Sequence, residues 1–202
     1  PESNTQYNVV PGLLGVILTM TLVLMTSMAV TRERERGTYE NLLAMPVRPL
    51  EIMTGKIAPY VIVGLIQSAL ILVAAKIVFA VPMLGSLTLL SGALLLFITA
   101  NLAVGYTFST VAKSQLQAMQ MMVFFLLPSI LLSGFVFPFR GMPGWAQALG
   151  EIMPITHFLR IVRGVMLKAN GFADVWPQFW PLALFTAAAG ALALARFRRT
   201  LD

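Results

Sequence analysis

Residues suited to covalent or metal chemistry are scarce in this sequence, and their spacing does not favour an enzyme. There is no Cys and a single His, His157, which excludes thiolate nucleophiles, disulfide frameworks and His- or Cys-rich metal sites. Neither Gly-x-Ser-x-Gly nor His-Glu-x-x-His occurs. The one Gly-Lys pair, Gly55-Lys56, has Leu50 where a phosphate-cradling loop needs its first Gly and Ile57 where it needs Ser or Thr. One pairing stays open on residue type alone: Ser68 or Ser91 with Lys76 as base, the parts of an intramembrane hydrolase.

The densest polar segment is residues 31–56, TRERERGTYENLLAMPVRPLEIMTGK, with five basic and four acidic side chains. Within it, residues 38–45 fit a short amphipathic helix that carries Tyr39, Leu42 and Leu43 on one side and is stopped by Pro46 and Pro49. Two readings stand. The segment is a solvated loop whose arginines fix topology, or it is a docking surface for a cytoplasmic partner. A topology signal alone has no use for Glu33, Glu35, Glu40 and Glu51, nor for an apolar turn held between prolines.

The elements that must position these residues are membrane helices. The 202 residues are 58% hydrophobic and 11% charged, with a mean hydropathy of +0.83. Soluble domains run at about 45–50% apolar and about 25% charged, so a soluble globular enzyme is excluded. Stretches free of ionisable residues cover 3–31, 57–75, 77–112, 114–139 and 175–195. Each can hold one helix of the ~20 residues that cross a bilayer core. Pro82, Gly85 and Ser86 break the start of the third stretch and leave it a single span. Five spans are therefore expected, at about 9–30, 57–79, 87–111, 118–137 and 177–195.

Basic residues set the orientation. If residues 31–56 face the cytoplasm, nine Lys and Arg lie on that side and five on the other, which puts the N-terminus outside and the C-terminus inside. The net charge of +6 then reports topology, and no nucleic-acid partner is expected. Residues 145–168 are long enough to cross but contain Glu151, His157, Arg160, Arg163 and Pro154. Each charge at the bilayer centre costs about 2.5–3.5 kcal/mol. On a helical wheel the basic residues here and His157 share an arc of about 140°, with Phe158, Ile161, Val162, Val165 and Met166 opposite. The expectation is a helix-turn-helix at or dipping into the outer interface, broken at Pro154, that does not span.

Polar groups inside the spans are few. Gln67, Asn101, Thr107, Gln115, Gln117 and Gln120 are expected mainly to satisfy one another between helices. Asn101, Gln67 and Pro128 are the candidates for a pathway or a dimer contact, and Pro128 is also expected to kink the fourth span. Met119, Met121 and Met122, with Phe124 and Phe125, either line an adaptable apolar cavity or simply pack and face lipid. Lys76 is expected to snorkel, with a pore-facing charge as the rival reading, and Trp176 and Trp180 to mark the outer interface.

Two motif clusters carry a resemblance. Arg-Glu-Arg-Glu-Arg-Gly-Thr-Tyr-Glu at 32–40, followed by Pro46-x-Arg48-Pro49 and Gly55-Lys56, closely resembles the inner loop of type-2 ABC transporter permeases of the bacterial multidrug type. Ser133-Gly134-Phe135-x-Phe137-Pro138, Met142-Pro143-x-Trp145 and Pro154-x-Thr156-His157-Phe158-x-Arg160 are similar to the extracytoplasmic re-entrant region of that family. The resemblance implies an all-α inner-membrane permease with five spans, an outer re-entrant or interfacial segment at 138–176 and a short cytoplasmic coupling helix within 31–56. It further implies a second permease chain, as homodimer or heterodimer, and separate cytoplasmic ATPase subunits that hold the ATP and Mg, with no cofactor on this chain. The coupling helix falls on about 37–45, and Glu33, Glu35, Gly37, Tyr39 and Glu40 are then expected to touch or brace the ATPase. Family permeases carry one more span and an extracytoplasmic domain ahead of the first span found here. Because the sequence starts at Pro1, further coding sequence upstream is expected. A channel or assembly subunit that uses no ATP is the other reading, and less so the hydrolase.

Overall fold

The computed structural model describes residues 5–38, 40–41 and 44–199. Among them seven α-helices can be bounded: α1 (Thr5–Glu35), α2 (Pro49–Val78), α3 (Leu87–Val111), α4 (Gln115–Leu132), α5 (Gly144–Ile152), α6 (Pro154–Lys168) and α7 (Phe172–Arg199), with a 3-10 turn at Phe139–Gly141. The described residues include no strand. Five of these helices, α1, α2, α3, α4 and α7, are long and apolar enough to cross a membrane. In lipid, a helix satisfies its backbone polar groups internally, so the all-α architecture follows from the composition.

Chain breaks explain where the helices stop. Pro49 occupies the first position of α2, and Glu51 at the third accepts the Arg48 N–H at 3.1 Å. Ser114 caps α4 by accepting the Gln117 N–H at 3.2 Å. Ala169 adopts φ 52° at the end of α6, and the Asn170 N–H closes that end on the Gly164 carbonyl. Two helices exceed expectation. α1 continues to Glu35 rather than stopping near residue 30, and α2 starts at Pro49 rather than near 57. Charges bar a segment from the hydrocarbon but not from a helix, and Arg, Glu and Lys are good helix formers in water.

α1 and α3 are the inner pair. In their most apolar stretches 50% and 56% of residues are buried, against 17% in each of α2, α4 and α7. Leu14, Leu18 and Leu22 of α1 pack with Phe97, Ile98 and Leu102 of α3 in the main core. Close approach is possible because Gly105 has no side chain: a Cβ there would stand 1.8 Å from Thr26 Oγ1 and 2.9 Å from the Val23 carbonyl.

The segment between α4 and α7 is a helical hairpin broken at Met153, ahead of Pro154. α6 does not lie flat on the surface. It dips into the bundle between α1, α3 and α7, where Phe158 stacks on Phe97 with ring centroids 4.0 Å apart. The apolar arc meets the core, but His157, grouped with the basic arc by sequence, is buried as well. At 15 residues α6 is too short to span.

Candidate functional site at the charged end of the first helix

The 31 residues of α1 measure about 46 Å, well over the ~30 Å hydrocarbon core. Its charged last turn must therefore project beyond the apolar slab. In that turn three consecutive side chains each hold a different helix. Glu33 forms an ion pair with Lys56 of α2, both side chains being about a quarter exposed or less. Arg34 Nη1 donates to the Thr110 carbonyl near the end of α3 at 3.2 Å. Glu35 Oε1 accepts the Gln115 N–H of α4 at 2.8 Å, and its other oxygen accepts from the Gln115 side chain. Successive helical residues are rotated by about 100°, so three neighbours can reach three surrounding helices.

The Glu35 carboxylate also meets the positive end of α4. The Gln115 side-chain and backbone donors hold it below its ordinary range, against a small opposing effect of desolvation. Just inside, Tyr106 of α3 and Phe197 of α7 pack with ring centroids 5.9 Å apart, beside Val30 and Met53. All the bounded spans thus meet the charged end of α1 or the packing beneath it.

Gly37 turns the chain away from the helix. With φ 70° its N–H bonds the Arg34 carbonyl, and the following Thr38 N–H bonds that of Glu33, a helix stop that favours Gly for its left-handed backbone. Beyond it, Glu40 is exposed, and the Ala44 N–H bonds the Glu40 carbonyl at 3.2 Å. Tyr39, Leu42 and Leu43, the apolar side of the expected short helix, lie outside the described residues.

The other expected site residues sit deeper. Gln67 accepts from Thr21 Oγ1 at 2.8 Å and ties α2 to α1. Asn101 is fully buried within this chain; its amide donates to the Phe97 carbonyl at 2.9 Å while Oδ1 has no partner. Pro128 is exposed within α4, which continues through it. Among the described residues no group of three or more His, Asp or Glu is placed to hold a metal.

At the opposite end a polar cluster was missed by residue-type reasoning. His157 Nε2 donates to the Glu151 carbonyl at 2.7 Å, closing the end of α5, and Nδ1 lies 2.7 Å from Gln178 Oε1 of α7. Arg160 makes a two-pronged ion pair with Glu151 at 2.7 and 3.0 Å and lies over the Phe139 ring. The signal available in sequence was Glu151 six and nine residues ahead of His157 and Arg160, which only the bend at Pro154 makes meaningful.

Comparison with known proteins decides the family. The family model described as "ABC-2 family transporter protein" matches residues 1–195. The chain belongs to the ABC-2 transporter family. Its relatives include the "Probable multidrug ABC transporter permease YbhR" of Escherichia coli strain K12, 36% identical over 98% of this chain and 54% of the relative. The "Inner membrane transport permease YhhJ" of the same strain is 38% identical over 94% of this chain and 52% of its own. More distantly, "ABC transporter G family member 20" of Dictyostelium discoideum is 26% identical over 84% of this chain and 23% of its own. This ABC-2 chain spans about half the length of those bacterial relatives. Five apolar helices and membership of this family make it a multi-pass membrane protein.

Proposed function

We propose that this ABC-2 chain is the membrane part of a permease that exports its substrate across the cytoplasmic membrane by alternating access. ATP is hydrolysed on separate cytoplasmic ATPase subunits, and a second permease chain completes the pathway. The charged end of α1 and residues 31–56 face the cytoplasm, with the start of α1 and the hairpin of α5 and α6 outside. ATP and its Mg stay on the ATPase, whose closure pushes the short segment after Gly37.

The observation that carries this reading is the fan of contacts at Glu33, Arg34 and Glu35. Such an arrangement delivers a displacement of the 37–48 segment to α2, α3 and α4 together. Coupling requires a contact that differs between two states, and an exposed charged segment on a rigid helix end is suited to that role. The relatives YbhR and YhhJ, each named a permease, agree with it.

The deciding experiment purifies the full-length protein with whatever ATPase accompanies it and reconstitutes both in vesicles. Export that needs ATP and stops when the ATPase is omitted supports the proposal. Conductance in the absence of ATP, with no ATPase bound, points instead to a channel.

A further inference from the structure

Between α1 and α2, at the charged end, lies a cavity of about 540 Å³. Its floor is apolar, with Met25, Met28 and Ala29 of α1 facing Pro59 of α2, and its rim carries Arg32, Arg36 and the Glu33–Lys56 pair. Glu33 is neutralised by Lys56. Arg32 and Arg36 are exposed and, among the described residues, hold no carboxylate, so the rim keeps an excess of positive charge. Met25 is 41% exposed on a helix inside the membrane. From Met25 to Arg36, the residue just past the end of α1, the groove runs about 16 Å, crossing from the hydrocarbon to the water. Apolar below and cationic above is the polarity sequence of an anionic lipid read in reverse charge.

We infer that this groove is a binding site for an anionic phospholipid, its phosphate on Arg32 and Arg36 and one acyl chain along Met25, Met28 and Ala29. A snorkelling arginine needs only the water beyond the membrane, whereas here two guanidiniums share one concave site continuous with an apolar channel. The phosphate also fits a guanidinium fork better than a lone ammonium. The site stands apart from the transport reading and requires only that the charged turn of α1 sit at the membrane boundary.

The test places the full-length protein in nanodiscs of phosphatidylcholine with phosphatidylglycerol and weighs the lipid it retains by native mass spectrometry. Phosphatidylglycerol is expected to be preferred over phosphatidylcholine by about 30-fold, the discrimination two surface arginines supply. The double variant Arg32→Gln/Arg36→Gln loses that preference. Ala29→Phe, which fills the apolar floor and leaves both charges, loses it too. A photo-crosslinker at Met28 captures lipid. Equal retention of the two lipids overturns the inference, as does full preference in Ala29→Phe, which would reduce the arginines to a bare surface charge. Displacement by inorganic phosphate alone, or capture of protein instead of lipid at Met28, overturns it as well.

Discussion

Glu35 Oε1 accepts the Gln115 N–H at 2.8 Å, so the last residue of α1 caps the first residue of α4, 80 positions further along the chain. Removing this carboxylate cuts one of the three ties through which the proposed lever moves the spans. Glu35 is exposed and lies outside the apolar slab, so Glu35→Ala should leave membrane insertion intact. Export per ATP hydrolysed is expected to fall by about tenfold, within the usual range of coupling energies. Parallel ATPase and export assays in vesicles check this, and unchanged export would remove Glu35 from the coupling path.

The same contact has a pH dependence of known sign. A carboxyl whose folded pKa lies below its ordinary value of 4.5 contributes stability above that value and loses it as pH falls through the lowered one. The tie between α1 and α4 is therefore complete at neutral pH and gives way only below 4.5. Hydrogen exchange at the Gln115 amide reads it directly: protection should hold down to that range and then drop. In Glu35→Gln the protection is expected to be weaker at neutral pH and to show no such step.

Which parts of this were legible in sequence has a physical pattern. The spans were, because a bilayer excludes Lys, Arg and Glu and so writes its thickness as gaps between charges. The true ends of α1 and α2 were not, since the rule that keeps Arg32 and Glu35 out of lipid says nothing of helix in water. Mixed charge singled out Glu33 and Glu35, but their partners Lys56 and Gln115 stand 23 and 80 residues away, and only topology brings them near. Arg34 drew no separate notice because its acceptor is a backbone carbonyl, that of Thr110. Residue type singles out Asn101 as a polar group within a span, while its enclosure by this chain's own helices depends on which face of α3 meets α1. The Gly105–Thr26 contact is invisible for the same reason.

That contact gives a packing prediction. A methyl at Gly105 would stand 1.8 Å from Thr26 Oγ1 and 2.9 Å from the Val23 carbonyl, and Thr26 is fully buried. Gly105→Ala is expected to destabilise the α1–α3 pair by about 1–3 kcal/mol, as overpacking does. Adding Thr26→Ala removes the closest clash but not the carbonyl, so rescue should be partial. Thermal denaturation of the three variants in detergent measures the difference, and a full rescue would show that the backbone yields.

His157 offers a second stability test at the far end of the bundle. It closes α5 on the Glu151 carbonyl and meets Gln178 of α7, and its side chain is 5% exposed. His157→Ala leaves that carbonyl without its donor and should cost about 1–3 kcal/mol. Gln178→Ala should cost less, because Arg160 lies 3.3 Å from the same amide and keeps its pair with Glu151. The double variant is expected to fall short of the sum, since the residues share a network.

Orientation is testable with single cysteines, because these 202 residues contain none of their own. Thr54 is exposed near the start of α2, at the end that holds Glu33 and Lys56. Ala173 is exposed at the start of α7, at the end that holds the hairpin. With nine basic residues on the first side and five on the second, the positive-inside rule places Thr54 in the cytoplasm and Ala173 outside. A membrane-impermeant maleimide applied to intact cells should then label Ala173→Cys at once. Thr54→Cys should react only after the membrane is opened. The reverse pattern would put the charged end of α1 outside the cell, where no ATPase can push it, and the coupling proposal would fail with it.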